Sequence, residues 1–223
     1  MIEAIVLAAG ESRRMGMLKP LLRFGETTFL EQIVGVLRQC NVGGITVVLG
    51  SQAEAIRAST DLSGVNVVIN RDYRDGQLSS LIAGLRNRGE GVPPLLFSRR
   101  QDAAGTQGQD ALATEAILLC LVDNPFLSTD VVGRIITAFR ESHKPIVIPV
   151  FNGRRGHPAL FAEAVFDELL NAPANEGARH VVNADRTRVV EVPVSDSAIL
   201  ARIDTPEDYA LYFGMAPQIR EER

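Results

Sequence analysis

The amino-acid sequence predicts an α/β fold, a mostly parallel sheet with helices on both faces. Two observations carry this expectation. Apolar runs of six or seven residues alternate, along the first 150 positions, with longer segments of helical apolar spacing, and that alternation builds parallel sheets. The runs are also continuous rather than period-two, as strands buried on both faces require. Composition agrees, since 223 residues of 46% hydrophobic content suffice for one sizeable core. A net charge of −4 excludes a strongly basic nucleic-acid-binding domain.

Each element follows in order. "AIVLAAG" at 4–10 reads as the first strand, and Glu3 stands where a signal peptide would need a basic residue. "FLEQIVGVLRQC" is an amphipathic helix, "GITVVLG" the second strand, "QAEAIRAS" a short helix and "VNVVIN" the third strand. "LSSLIAGLRNR" returns to helical spacing. Residues 88–115 carry Gly, Pro, Gln and Asp without a sustained period, and read as an insertion, mobile or functional. "AILLCLV" at 116–122 is a strand and the longest clearly apolar run, far too short to span a bilayer. "STDVVGRIITAFRES" starts at a Ser128 or Thr129 cap, and "PIVIPV" is a further strand. Beyond residue 150 the pattern loosens into a helical "AEAVFDELLNA", a β-rich "TRVVEVPV" and a helix "TPEDYALYFG" with Pro206 in its first turn. One domain is expected over 1–212, with a tail at 213–223. Cys40 and Cys120 make neither a disulfide framework nor a zinc pattern, which fits buried thiols in a reducing compartment. The expected location is cytoplasmic, with no membrane and no nucleic acid among the partners.

In open parallel sheets ligands bind outside the carboxyl ends of the strands, so the turn after the first strand matters most. In "VLAAGESRRMGMLKPLL", at 6–22, and the next residue, Arg13, Arg14, Lys19 and Arg23 face only Glu11, a local excess of three positive charges. Gly10 lets backbone N–H groups face a ligand, and arginines add charge-assisted bonds. The pattern points to a polyphosphate; the plain alternative is a solvated basic loop. A P-loop is excluded, because five residues separate Gly10 from Gly16 and Met17 follows. The G-x-G-x-x-G fingerprint is absent too.

"LAAGESRRMGMLKPLL" resembles the L-A-A-G-x-S-x-R-M-G-x-x-K signature of the molybdenum-cofactor nucleotidyltransferases, above all their cytidylyl branch. "DGQLSSLIAGL", "LVDNPFL", "GRRGHPALF", "NEGAR" and "RIDTPEDY" agree in order, so the resemblance spans most of 1–212. It implies a Rossmann-like, GT-A-type nucleotidyltransferase fold. It further implies that Leu7, Ala8, Ala9, Gly10, Ser12, Arg14 and Lys19 bind the nucleotide, with Arg14, Lys19 and Asp123 catalytic. Gly76, Gln77, Ser79 and Ser80 would contact base and ribose. Asp123 also falls among the nucleotide-binding positions, and with Asp204 it would bind Mg²⁺, or Mn²⁺ in its place. Asn124, Arg155, His157 and Arg179 would line the acceptor side, with Arg154 beside them. Arg13 falls at a variable position of the signature. Asn124 departs from the usual D-Q-P and shortens that amide.

Local alternatives stand beside these roles: Asp123 as a turn residue, Asp204 as a helix N-cap, the serines as caps, and His157 as a structural loop residue. The activity implied is Mg²⁺-dependent transfer of CMP from CTP to the phosphate of molybdopterin, with release of pyrophosphate. The product would serve a molybdenum hydroxylase of the xanthine dehydrogenase type. Ala9 stands where guanylyl-transferring relatives carry Gly, which favours CTP over GTP. The alternatives are a sugar or polyol phosphate as acceptor, or a chaperone that binds nucleotide or molybdenum cofactor without turnover. No Ser-His-Asp or Cys-His set offers another chemistry.

Overall fold

The computed structural model describes residues 1–40, 42–87 and 114–219. The expected insertion at 88–115 therefore lies, but for its last two residues, outside the described residues. The central strand, β1 (Ile2–Ala8), is buried along its whole length. It begins two residues before the expected start because Ile2 and Glu3 already pair with Ala116 and Ile117. A short hairpin of β2 (Arg23–Phe24) and β3 (Thr27–Thr28) leads into α1 (Phe29–Gln39). Then come β4 (Ile45–Leu49), α2 (Ala53–Ser59), β5 (Asn66–Ile69) and α3 (Gln77–Arg86). After 113 the order is β6 (Ala116–Leu121), α4 (Thr129–Ser142), β7 (Ile146–Phe151), β8 (Arg154–Arg155) and β9 (Ala159–Ala162). α5 (Phe166–Leu170), α6 (Ala178–Ala184), β10 (Val189–Pro193) and α7 (Pro206–Phe213) complete the chain.

The sheet runs β10-β7-β9-β6-β1-β4-β5, with β8 hairpinned onto β7. β1 pairs in parallel with both β4 and β6, as do β4 with β5 and β7 with β10. The expected mostly parallel sheet is thus present, with two antiparallel strands, the short β8 and the internal β9. β9 runs antiparallel between β6 and β7, inside a segment the sequence assigns to the acceptor side. Its four residues are all buried, so they show no alternation to betray a strand. The helical segment at 162–172 also divides, into a 3-10 turn at Glu163–Val165 and α5.

Successive side chains of β1 point to opposite faces. Ala4, Val6 and Ala8 pack with apolar residues of α1, α2, α4 and α7. Ile5 and Leu7 pack with those of α3, α5 and α6. α3 sits so close that a Cβ on Gly84 would lie 2.8 Å from Ile5 Cγ2.

Two features of topology position the site. The chain leaves β1 for β4 and β5 on one side and returns to β6 on the other, so a crevice opens at the carboxyl ends of β1 and β6. α7 then brings the 202–205 segment to that crevice. Its Thr205 forms a capping box with Asp208. Buried Tyr209 stacks on Phe29 with ring centroids 6.0 Å apart, and its hydroxyl donates to the Arg23 carbonyl at 2.8 Å. The Ile203 N–H donates to the Asp123 carbonyl at 2.8 Å. Cys40 and Cys120 are free, and burial pushes both thiols up from their ordinary range. Among the described residues no helix is long and apolar enough to cross a membrane.

Candidate active site

A cleft of about 520 Å³ occupies the crevice, floored by Leu7, Ala8, Ala9 and Gly10. The loop after β1 folds back on itself. The Ser12 carbonyl accepts the N–H groups of Met15 and Gly16, each at 3.0 Å, while Ser12 Oγ accepts the Lys19 N–H at 3.1 Å. Left-handed backbone at Ser12 (φ 54°) and Gly16 (φ 72°) makes this reversal. A Cβ on Gly10 would meet nothing within 4 Å, so the loop's rim faces open space.

The four cations of this loop do not act together, which corrects the expectation of one basic cluster. Arg13 pairs with Glu11, and so does Arg74, at 3.0 Å. Arg23 turns to the Gly25 carbonyl at 2.9 Å and to Glu26. Lys19 turns inward and Arg14, still largely exposed, reaches in from the surface; both land on Asp204, and of the three only Lys19 lines the cleft. Lys19 Nζ lies 2.5 Å from Asp204 Oδ1, and Arg14 Nη2 lies 2.9 Å from Oδ2. Burial pushes the Asp204 carboxyl up, but the Lys19 bond, then the charges of Lys19, Arg202 and Arg14, outweigh it and hold the group below its ordinary range. Asp204 is not the helix cap, since Thr205 fills that position.

A third cation, missed by sequence reasoning, joins them. Arg202 Nε lies 2.6 Å from Asp204 Oδ2 and 3.3 Å from Asp123 Oδ2. It stands in "RIDTPEDY", two residues before Asp204, so the signal was a charge inside an already quoted motif. The guanidinium is a stand-in that tests the pair: two hard carboxylates from different elements converge on one cationic group. That donor chemistry fits a dication completing its shell with water and phosphate oxygens. Among the described residues no group of three or more His, Cys, Asp or Glu comes together, so an ion held by this pair would draw its remaining ligands from water or substrate.

The opposite wall is the start of α3. Gly76, at φ 99°, precedes the helix, and Gln77 and Ser80 line the cleft. Ser79 does not. Its hydroxyl lies 2.8 Å from the Asp72 and Gly76 carbonyls, and Asn70 Nδ2 donates to Ser79 and Ser80 at 2.9 and 3.0 Å. Ser79 braces the turn and does not cap the backbone of α3.

A second cavity, of about 430 Å³, adjoins the first and shares Leu7, Gln77, Arg155, Gly156, His157 and Arg179 with it. Its inner wall is apolar, built of Leu78, Leu81, Leu119, Ile148, Phe161 and Val182. Arg154 lines only the first cleft. Arg155 is engaged by Glu191 at 2.8 Å. Asn124, nearly buried, donates from Nδ2 to the Ile199 carbonyl at 3.1 Å and serves as a brace. His157 Nδ1 is shut off from solvent without a partner. Burial lowers the His157 pKa, outweighing the Asp123 charge and a bond with the Leu119 backbone that raise it. Pro20, Tyr73 and Ile199 also line the first cleft and carried no sequence signal.

A cation-lined cleft at a topological switch point, adjoining a second cavity, lies where open α/β sheets seat their ligands. The chain belongs to the MobA-like NTP transferases: the family model "MobA-like NTP transferase domain" matches residues 4–189. It is a nucleotidyltransferase. Three curated relatives are each 26% identical. Nicotine blue oxidoreductase of Paenarthrobacter nicotinovorans aligns over 92% of this chain and 93% of its own. The molybdenum cofactor cytidylyltransferase of Escherichia coli K12 aligns over 93% of both. A probable molybdenum cofactor guanylyltransferase of Mycobacterium marinum aligns over 93% and 90%. Among solved structures, Rv0371c of Mycobacterium tuberculosis superposes with TM-score 0.77 at 28% identity, over 96% and 97% of the two chains. Its complex with manganese gives 0.73 at 27%, over 96% and 98%.

Proposed function

We propose that this chain transfers CMP from CTP to the phosphate of molybdopterin, releasing pyrophosphate, with a divalent cation as cofactor. One observation carries the reading: two adjoining cavities share a wall of Arg155, His157 and Arg179, one holding Lys19 and Asp123, the other adding an apolar wall of Leu78, Leu81, Leu119, Ile148, Phe161 and Val182. A binding protein needs one pocket, whereas a transferase must seat donor and acceptor side by side. The apolar inner wall suits a flat heterocyclic acceptor better than a polyol phosphate.

The acceptor phosphate is anionic near neutral pH and needs no general base. Its oxygen bonds to the α-phosphorus as the bond to the bridging oxygen breaks, and pyrophosphate leaves with the electron pair. Lys19 and Arg14 offset charge on the phosphates, and the folded-back loop of Gly10 and Ser12 holds them in place. A bound divalent cation, Mg²⁺ or Mn²⁺, supplies further charge neutralisation, and Asp123 and Asp204 are the residues that would hold it. The manganese complex of the Mycobacterium tuberculosis relative supports the use of a divalent cation. Gln77 faces the base, and the Ala9 methyl disfavours the larger purine by about 10 to 200-fold, the worth of one methyl group. Arg155, His157 and Arg179 face the acceptor.

Pyrophosphate release from CTP and GTP at equal concentration, with and without molybdopterin, tests the reading. Acceptor-dependent release favouring CTP is expected. An excess of guanylylated product overturns the base assignment, and no release from either triphosphate overturns the activity. In the second case the oxidoreductase relative would become the better guide.

A further inference from the structure

Arg202 has an environment that a simple surface ion pair does not explain. Its side chain is 67% exposed, yet its Nε reaches two carboxylates that are only 18% and 11% exposed. Asp204 already has Lys19 at 2.5 Å and Arg14 at 2.9 Å, so a third cation is not needed to neutralise it. Around Asp123 and Asp204 three cations therefore meet two carboxylates, and the set carries one excess positive charge. The backbone beside Arg202 is fixed, because the Ile203 N–H is bonded to the Asp123 carbonyl at 2.8 Å. The long exposed side chain is free to leave without disturbing that anchor.

We propose that Arg202 is a built-in counter-cation. It holds the Asp123–Asp204 pair against a bare divalent ion and yields the pair only to a metal–nucleotide complex. The charges set this order. A lone dication approaching a site with a positive excess is repelled, whereas a triphosphate carrying its dication is anionic and attracted. The displaced guanidinium then has the phosphate oxygens as its new acceptors. Arg202 is a positioning residue here: it decides when the carboxylates become available. The inference rests on the divalent-cation part of the proposed function.

The test is Mn²⁺ binding, read from the free-ion electron paramagnetic resonance signal, without turnover. Wild type, Arg202→Gln and Arg202→Lys are titrated alone and with α,β-methylene-CTP. Arg202→Gln is expected to bind Mn²⁺ without nucleotide about tenfold or more tightly than wild type, since a neighbouring charge at 4–6 Å shifts an ionic equilibrium by about 1 to 3 log units. Arg202→Lys, which keeps the charge, should stay near wild type. With the analogue bound, the gap between wild type and Arg202→Gln should narrow. Equal Mn²⁺ affinity of wild type and Arg202→Gln overturns the proposal, as does equal tightening in Arg202→Lys. Circular dichroism confirms that each variant is folded. If wild type releases no pyrophosphate from any triphosphate, the proposed function fails while these titrations still decide the role of Arg202.

Discussion

Lys19→Ala separates the structural from the chemical part of the cation cluster. The Lys19 ammonium and the Asp204 carboxylate are 13% and 11% exposed and 2.5 Å apart. Removing Lys19 does not orphan Asp204, because Arg14 and Arg202 remain at 2.9 and 2.6 Å. The loss should therefore fall short of the roughly 3 to 5 kcal/mol of an uncompensated buried charge. It should lie near the roughly 1.5 to 3 kcal/mol of one charge-assisted hydrogen bond. At about 2 to 4 °C per kcal/mol for a chain of this size, the expected fall in Tm is about 3 to 12 °C.

Turnover with saturating CTP and Mg²⁺ should fall at least about tenfold, equivalent to roughly 1.4 kcal/mol of transition-state stabilisation. Acid sensitivity adds a signature. The Asp204 carboxyl is held below its ordinary range, so its contribution is present above the unfolded value of about 3.9 and lost as pH falls through the folded one. Without Lys19 that contribution shrinks, and the variant should lose less stability than wild type between neutral pH and pH of about 3. Thermal unfolding at both pH values and pyrophosphate release provide the assay. Wild-type turnover in a folded variant would refute the chemical role of Lys19. An unchanged Tm would refute the energetic account of its pairing.

Two further outcomes follow from the acceptor wall. Gly156→Ala places a Cβ 2.4 Å from the Ile199 carbonyl oxygen, a backbone atom that cannot swing aside, so it should cost about 1 to 3 kcal/mol; it should raise KM for the acceptor more than for CTP, and an unchanged Tm would count against the close approach. His157→Gln should flatten the acid limb of stability. The folded His157 pKa is lowered by burial, so stability is whole above the unfolded value of about 6.5 and drains as pH falls from there through the folded value. Urea unfolding at pH 7.5 and 5.5 checks this, and equal losses in wild type and variant would assign the acid sensitivity to other groups.

What the sequence made legible was what lies close together along the chain. The strand of β1 and the helix after Gly76 are each set by neighbours a few residues apart, and each stands within two residues of the expected start. β9 escaped because a four-residue strand buried on both faces has no periodicity of its own. Its place between β6 and β7 comes only from pairing across the sheet. The same limit explains the site. Counting Arg13, Arg14, Lys19 and Arg23 against Glu11 gives the loop's charge, but not the field a ligand meets. That field depends on carboxylates and cations arriving from elsewhere. Glu11 is taken by Arg13 and by Arg74, 63 positions away, and Lys19 meets Asp204 across 185 positions. Arg202 belongs to the same kind of fact. Nothing within "RIDTPEDY" separates an exposed arginine from one that spans two carboxylates, until α7 is capped at Thr205, docked through Tyr209 on Phe29, and tied by Ile203 to the end of the Asp123 strand. The packing of α7 thus decides how many positive charges the cleft presents.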